Sequence, residues 1–250
     1  MAKLYDTHCH LYSEYNYDLN EIVENFKKDN IGFIINNGTN FKTNEEVLSI
    51  SKKFSSIKSA IGFHPEDLDD FKEEQLDQII QNINNIIAIG EIGLDYYYSE
   101  NSKDLQKKVF EKQIQIAEKY NKPVIIHSRN AFKDTFDIVK KYNVKGSWHC
   151  FSGSLEEANK IIGLGFKLGI GGILTFRNSN LNEIISEIDL KNILLETDSP
   201  YLSPEPFRGK RNEPKNVKII LENIARIKNI DYINAAQIIE NNTLETFRMN

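Results

Sequence analysis

Residues 4–10 read Leu4-Tyr5-Asp6-Thr7-His8-Cys9-His10, a short run near the N-terminus that carries two histidines. The run has the pattern of an extended strand, in which side chains two positions apart point to the same face. His8 and His10 are therefore expected to present two imidazoles together at the carboxyl end of this strand. Such a pair on a rigid scaffold suits a metal ion, and the alternative is two unrelated buried histidines. The positions of the other histidines distinguish these interpretations.

Length and composition limit the classes of protein to consider. A chain of 250 residues with 40 % hydrophobic content can bury a large core, as one α/β barrel domain or as two small domains. The net charge of −5 argues against a broad basic surface for nucleic acid, but it does not exclude a local basic rim. Two cysteines make no disulfide framework, which indicates a reducing compartment.

The sequence carries no sign of a targeting or membrane segment. Lys3 and Asp6 leave no apolar stretch of signal-peptide type before the first strand. No apolar run approaches the length that a membrane span requires. We therefore expect a globular cytoplasmic protein without a membrane partner, and we predict no stable protein partner.

The order of apolar and amphipathic segments predicts an α/β fold. Eight apolar runs cover Lys3–His8, Gly32–Asn36, Ile57–Phe63, Ile86–Gly90, Val124–His127, Val144–His149, Phe166–Ile170 and Ile193–Glu196. Helix-like patterns between them cover 19–29, 42–54, 73–84, 102–120, 131–142, 154–164, 180–187 and 215–228. Eight strand–helix units predict a single (β/α)8 TIM barrel over residues 1–250, with an additional C-terminal helix at Tyr232–Arg248. A doubly wound open sheet is the alternative, because alternation alone does not show closure.

The polar residues that follow these runs form a pattern of their own. All five histidines lie at the carboxyl ends of predicted strands, together with two carboxylates; the set is His8, His10, His64, Glu91, His127, His149 and Asp198. This end of a barrel is where barrel enzymes build their active sites. Histidines without a common role would scatter over helices and loops. The pattern therefore predicts a functional site even before any family is considered.

The imidazoles of His8, His10, His127 and His149, with the carboxylates of Glu91 and Asp198, indicate a metal site. The donor set suits Zn²⁺, Mn²⁺ or iron better than Ca²⁺, although Mg²⁺ or Mn²⁺ could serve in the cell. Six ligands exceed the three of one catalytic zinc but suffice for two divalent ions, with Glu91 on the fourth strand as the bridge. A hydroxide between the ions would be the nucleophile, and Asp198 would accept its proton. As helix caps or turn formers, Glu91 and Asp198 would have no such role.

Seven motifs in register resemble those of the TatD family of metal-dependent deoxyribonucleases, within the amidohydrolase-like barrels. They begin at Asp6, Gly62, Gly90, Pro123, His149, Glu196 and Arg208, and read DTHCHL, GFHP, GEIGLD, PVIIHSR, HCFSG, ETDSP and RGKRNEP. The resemblance covers essentially the whole chain. It implies a (β/α)8 barrel that hydrolyses DNA phosphodiesters, often as an exonuclease. One departure is Tyr12, which stands where family members commonly carry Asp or Asn.

The resemblance also implies how the ligands are shared between two ions. His8, His10 and Asp198 would hold one ion, while His127 and His149 would hold the other, with Glu91 between them. Because Tyr12 is expected to lie outside the ligand set, its effect should fall on metal affinity or substrate choice.

Other residues are candidates for contact with the substrate. His64, beside Pro65, points to the same face and is assigned a substrate or proton-transfer role in preference to a core position. Arg129, two residues after His127, would face the cavity and stabilise charge on phosphorus. The segment Ser199–Pro214 holds four of the six prolines and presents three cations, which are Arg208, Lys210 and Arg211. The alternative for these cations is an ordinary solvated loop.

Three functions follow from this site, of which the first is favoured. It is a two-metal hydrolase that cleaves DNA phosphodiester bonds. The second keeps the metal chemistry but attacks a carboxylic ester or amide, such as an aminoacyl ester on RNA. The third is a non-catalytic metal-binding or scaffold protein, against which the complete ligand set argues.

Overall fold

Eight parallel strands lie side by side in chain order in the computed structural model, which describes residues 2–97 and 103–249. The strands are β1 (Leu4–Cys9), β2 (Ile31–Asn37), β3 (Ile57–Ile61), β4 (Ala88–Asp95), β5 (Val124–Arg129), β6 (Gly146–Trp148), β7 (Lys167–Ile170) and β8 (Ile193–Leu195). Each strand pairs with the next in parallel register. The predicted (β/α)8 barrel is confirmed, and the open sheet is not what forms.

Helices connect the strands and surround them. They are α1 (Leu19–Asp29), α2 (Phe41–Lys53), α3 (Asp77–Gln81), α4 (Lys103–Lys119), α5 (Phe132–Val139), α6 (Leu155–Gly163), α7 (Leu181–Glu187), α8 (Val217–Lys228) and the additional α9 (Tyr232–Thr246). Local sequence sets several of their starts: the Asn40 side chain caps α2 and the Ser154 side chain caps α6. Helix α3 is much shorter than the predicted helix at 73–84, because residues 73–76 form a 3₁₀ turn before it. Position 102, where the fourth helix was predicted to begin, lies outside the described residues.

The barrel interior is divided along its axis into an apolar end and a polar end. Apolar side chains from several strands form a cluster inside the barrel, which contains Tyr5, Phe33, Ile35, Ala60, Ala88, Ile125, Leu194 and Phe247. Ile125 and Leu194 are followed two positions later by His127 and Glu196, on the same face of their strands. The apolar cluster therefore supports the polar cluster from beneath.

The barrel closes where β1 meets β8, and polar contacts make the seam. The backbone N–H of Asp198 donates to the His8 carbonyl at 2.8 Å, and that of His10 donates to the Ser199 carbonyl at 2.6 Å. The buried carboxylate of Asp6 accepts from the backbone N–H of Thr197 at 2.9 Å. The seam thus fixes the backbone at three candidate ligands, which are His8, His10 and Asp198.

Two further findings bear on the sequence predictions. Strand β4 extends to Asp95, five residues past the predicted end at Gly90, so Glu91 lies within the strand and not after it. Among residues 2–97 and 103–249, no helix has the length and apolar character needed to cross a membrane.

Candidate metal centre

The first half of the site joins the two ends of the barrel seam. The Nε2 atoms of His8 and His10 lie 3.0 Å apart. The Oδ1 atom of Asp198 lies 3.7 Å from the first of these nitrogens and 3.5 Å from the second. All three side chains point into one small polar cavity, and the side chain of His8 is fully buried. Strand β1 and the turn after β8 therefore supply one compact group of donors.

The second half of the site comes from β4, β5 and the end of β6. The Nδ1 atom of His127 lies 3.0 Å from Glu91 Oε1, and the Nε2 atom of His149 lies 3.6 Å from the same oxygen. The ring of His149 also stacks on that of His8, with centroids 3.5 Å apart. The two halves are therefore in direct contact.

Glu91 stands between the halves and turns one oxygen to each. Its Oε2 lies 3.3 Å from His8 Nε2 and 3.4 Å from His10 Nε2, whereas Oε1 faces His127 and His149. Burial alone would raise the pKa of Glu91, but the surrounding imidazoles outweigh it and hold that pKa well below its usual range. The carboxylate is therefore ionised and available to two partners at once.

The donor geometry fits divalent metal ions. Bonds of 2.0–2.2 Å in a tetrahedral site place neighbouring ligand atoms about 3.3–3.6 Å apart. In the first half the donor atoms of His8, His10, Glu91 and Asp198 are 3.0–3.7 Å from one another where they are in contact. Buried imidazoles and carboxylates that converge in this way need a cation among them or must share protons. The residues of the first half therefore fit an ion, and Glu91 also forms candidate metal-binding groups with His8 and His149 and with His64 and His127.

Protonation of the metal-free site differs from one histidine to the next. Burial lowers the pKa of His8 to about 4. Burial also acts to lower the pKa of His127, but hydrogen bonds to Asp95 and Glu91 overcome it and raise the pKa to about 9. For Asp198, burial opposes ionisation, yet the hydrogen bond from His10 and the charges of neighbouring histidines lower its pKa. A bound metal would displace the proton from His127.

Two carboxylates support the ligands from behind, and sequence reasoning did not assign them. Asp95 Oδ2 lies 2.9 Å from His127 Nε2. Glu196 Oε1 lies 3.1 Å from His149 Nδ1, without hydrogen-bond alignment, and accepts from the backbone N–H of Cys150 at 2.7 Å. Asp95 closes the GEIGLD motif and Glu196 opens the ETDSP motif, which was the available signal for both.

His64 lies beside the same residues, but its ring is oriented as a hydrogen-bond donor. Its Nδ1 accepts from the backbone N–H of Glu66 at 3.2 Å, so the ring proton lies on Nε2. That Nε2 is 3.5 Å from Glu91 Oε1. Burial lowers the pKa of His64, which keeps the ring neutral. A neutral ring with its N–H directed into the cavity suits contact with a substrate oxygen better than metal ligation.

The predicted cations of the rim lie on aromatic rings. Arg129 lies 4.0 Å above the ring of Tyr97, and Arg208 lies 3.7 Å above that of Phe176. Lys210 is 5.9 Å from the ring of Phe207.

Arg211 is instead engaged with the loop after β1. It donates to the carbonyl of Tyr15 at 2.5 Å and lies 4.3 Å above the Tyr17 ring. Arg211 therefore holds the β1 and β8 loops together, and all four cations are exposed at the surface.

A parallel eight-stranded barrel with a histidine–carboxylate cluster at the carboxyl ends of its strands defines the class of metal-dependent hydrolases. Within that class, the sequence pattern of the family described as TatD related DNase matches residues 5–248. The chain belongs to this family, as its motifs predicted.

Relatives and solved structures agree with this assignment. The uncharacterized metal-dependent hydrolase YabD of Bacillus subtilis is 40 % identical, over 99 % of this chain and 100 % of its own length. The uncharacterized metal-dependent hydrolase YcfH of Escherichia coli is 33 % identical, over 98 % of this chain and 96 % of its own. The crystal structure of YjjV, a TatD homologue from Escherichia coli, superposes with a TM-score of 0.93 at 28 % identity, over 99 % and 98 % of the two chains.

Proposed function

We propose that this protein is a two-metal hydrolase that cleaves phosphodiester bonds in DNA, with exonucleolytic action. The proposal is carried by the two carboxylate oxygens of Glu91, which face different groups of donors 3.0–3.6 Å away. A carboxylate shared in this way is typical of sites that hold two ions. The family's description as TatD related DNase supports DNA as the substrate.

The candidate ligands divide between the two positions. His8, His10 and Asp198 would hold one ion, and His127 and His149 would hold the other, with Glu91 shared between them. Two divalent ions, of zinc, manganese or magnesium, would supply Lewis acidity that activates water and neutralises phosphate charge.

The side chains of the site would guide the proton and the substrate. Asp198 is the proton acceptor in this proposal, because its carboxylate is ionised and its side chain is 15 % exposed, so that a water molecule can reach it. His64 would donate its Nε2–H to a substrate oxygen, since its other nitrogen is occupied by a backbone donor.

The rim offers contacts for a nucleic acid. Arg129, Arg208 and Lys210 are exposed cations that could neutralise phosphates along the strand. Tyr201 is 50 % exposed, and its ring lies 6.3 Å from that of His10. The hydroxyl of Tyr15 lies 2.5 Å from that of Tyr201 and fixes the ring in place. A fixed, exposed ring beside the reaction centre suits stacking of a nucleobase.

The test is hydrolysis of end-labelled single- and double-stranded DNA by metal-stripped protein. Mg²⁺, Mn²⁺ or Zn²⁺ is added back, and an aminoacyl ester on RNA is assayed in parallel. We expect metal-dependent release of mononucleotides and its loss in the His127→Ala variant, with the folded state checked by circular dichroism. Hydrolysis of the aminoacyl ester without any cleavage of DNA would replace this proposal with the ester function.

A further inference from the structure

The four candidate imidazole ligands differ in what supports the nitrogen that faces away from the site. His127 has a carboxylate, Asp95, at 2.9 Å, and His149 has a carboxylate, Glu196, at 3.1 Å. Within residues 2–97 and 103–249, Nδ1 of His8 has no hydrogen-bond partner and no carboxylate behind it, while Nδ1 of His149 faces its carboxylate without hydrogen-bond alignment. His10 has two neutral partners, the Tyr12 hydroxyl and a backbone carbonyl. The half of the site that includes His8 and His10 is therefore supported differently from the other half.

The support of His10 is a closed triangle of polar atoms. Nδ1 of His10 lies 2.9 Å from the hydroxyl oxygen of Tyr12 and 3.0 Å from the carbonyl oxygen of Asn37. The hydroxyl of Tyr12 in turn donates to the same carbonyl. A carbonyl can only accept, so both protons point toward it when His10 carries its proton on Nδ1. That tautomer leaves the lone pair of Nε2 directed at Asp198 and Glu91, as ligation requires.

Tyr12 is buried beside His10. Its side chain is buried, at 5 % exposure, and its ring stacks against that of Tyr15 with centroids 5.8 Å apart. Its hydroxyl does not face the cavity, because it is occupied by Asn37 and His10. Contact with a substrate is therefore not its role.

We propose that Tyr12 is a positioning residue that fixes the ring and tautomer of His10 and so sets the affinity of the His8–His10–Asp198 half for its ion. The inference rests on the proposed two-metal function and adds a residue specific to one half. Groups that orient a ligating histidine from behind typically change metal affinity 10–100-fold when they are removed. Since the Asn37 carbonyl would still hold the Nδ1 proton, we expect the lower end of this range.

The experiment measures metal binding, independently of catalysis. Metal-stripped wild-type protein and Tyr12→Phe are titrated with Mn²⁺ by isothermal titration calorimetry. We expect two ions to bind in both proteins, with the dissociation constant of one ion raised about tenfold in Tyr12→Phe and that of the other unchanged. Tyr15→Phe is the matched control, because it removes the hydroxyl of the neighbouring ring, which contacts Tyr201 and no candidate ligand. It should bind both ions as the wild type does.

A double-mutant cycle assigns the effect to His10. In a His10→Gln background, which keeps a donor atom for the ion but removes Nδ1, Tyr12→Phe should have no further effect on the weakened affinity for the first-half ion. An undiminished effect there, an equal weakening of both ions, or wild-type affinity in Tyr12→Phe would each overturn the proposal. If Tyr12→Phe fails to fold by circular dichroism, Tyr12→Met is used in its place. Binding of a single ion by the wild type would refute the two-metal function instead, and the cycle with His10 would still decide the role of Tyr12.

Discussion

Metal binding should depend strongly on pH because His127 must lose a proton to become a ligand. In the metal-free protein, Asp95 and Glu91 overcome the effect of burial and raise the pKa of His127 to about 9. The neutral ring is then present in about one molecule in a hundred at pH 7 and in about half of the molecules at pH 9. The apparent affinity for metal should therefore rise about tenfold between pH 7 and 8, and about 50-fold between pH 7 and 9.

The stability of the metal-free protein should fall with rising pH, whereas its affinity for metal should rise. The folded-state pKa of His127 is raised above the unfolded value of 6.5, so the stabilisation is fully present below pH 6.5. It is lost as the pH rises through about 9. The metal-free protein should thus become less stable over the same interval in which it binds metal more tightly.

Calorimetry measures both the affinity and the protons that are released. Mn²⁺ is titrated into metal-stripped protein at pH 7.0 and 8.5, in two buffers with different ionisation enthalpies. We expect at least one proton to be released per protein at pH 7, because the pKa values of His10 and His149 are also raised by neighbouring acidic groups, against the effect of burial. Asp95→Asn removes the main partner of His127 and should reduce the count by one. Binding heats that do not depend on the buffer, with equal affinity at both pH values, would refute the reasoning.

Three further outcomes are expected. Asp198→Asn should lower kcat for DNA by about 10²–10⁴-fold, the usual contribution of a general base, and wild-type turnover would contradict its role as proton acceptor. Tyr201→Ala should raise KM about tenfold for an oligonucleotide but not for a small phosphodiester, since one stacked base contributes about 1–3 kcal/mol; equal changes for both substrates would exclude stacking. Chelation of metal should accelerate hydrogen exchange at the backbone N–H groups of His10 and Asp198 more than at those of β4 and β5, because the ion that His10 and Asp198 would share would cross-link the seam. Mass spectrometry measures this exchange, and an unchanged rate would show that the seam closes without metal.

The fold was predictable because each strand of a parallel barrel is buried on both faces. Such strands appear in the sequence as continuous apolar runs, and all eight were located. Their ends were less accurate where polar residues belong to the strand. Glu91 and Asp95 lie within β4, where their polar side chains alternate with Ile92 and Leu94 of the apolar core. Hydrophobicity alone could not show that the strand continues there.

That the candidate ligands lie close together was predictable from the sequence, but their individual contacts were not. Strand alternation places His8, His10 and His127 at one end of the barrel from sequence alone. The separate contacts of the two Glu91 oxygens depend on where β1, β5 and β6 lie in space, which no spacing encodes. Arg211 illustrates the same limit, because its charge and its place in a proline-rich loop suggested a free cation. The carbonyl of Tyr15, distant in sequence, engages it instead.

The position of the seam divides the site into two halves that are assembled differently. Backbone contacts join His8 to Asp198 and His10 to Ser199, so the first half of the site is assembled only when β1 and β8 meet. The donors of the second half come from β4, β5 and the residue after β6, which are neighbouring strands away from the seam, with a register shift between Ile89 and Ile92. An ion in the second half would therefore bind within neighbouring strands, whereas an ion in the first half would also hold the barrel closed. Nδ1 of His10 contacts a phenol and a carbonyl, and Nδ1 of His8 has no hydrogen-bond partner in residues 2–97 and 103–249. Since carboxylates lie behind His127 and His149 instead, the first half has the weaker framework. Changes in affinity between members of this fold would then arise most readily at the seam, through residues such as Tyr12 that touch no substrate.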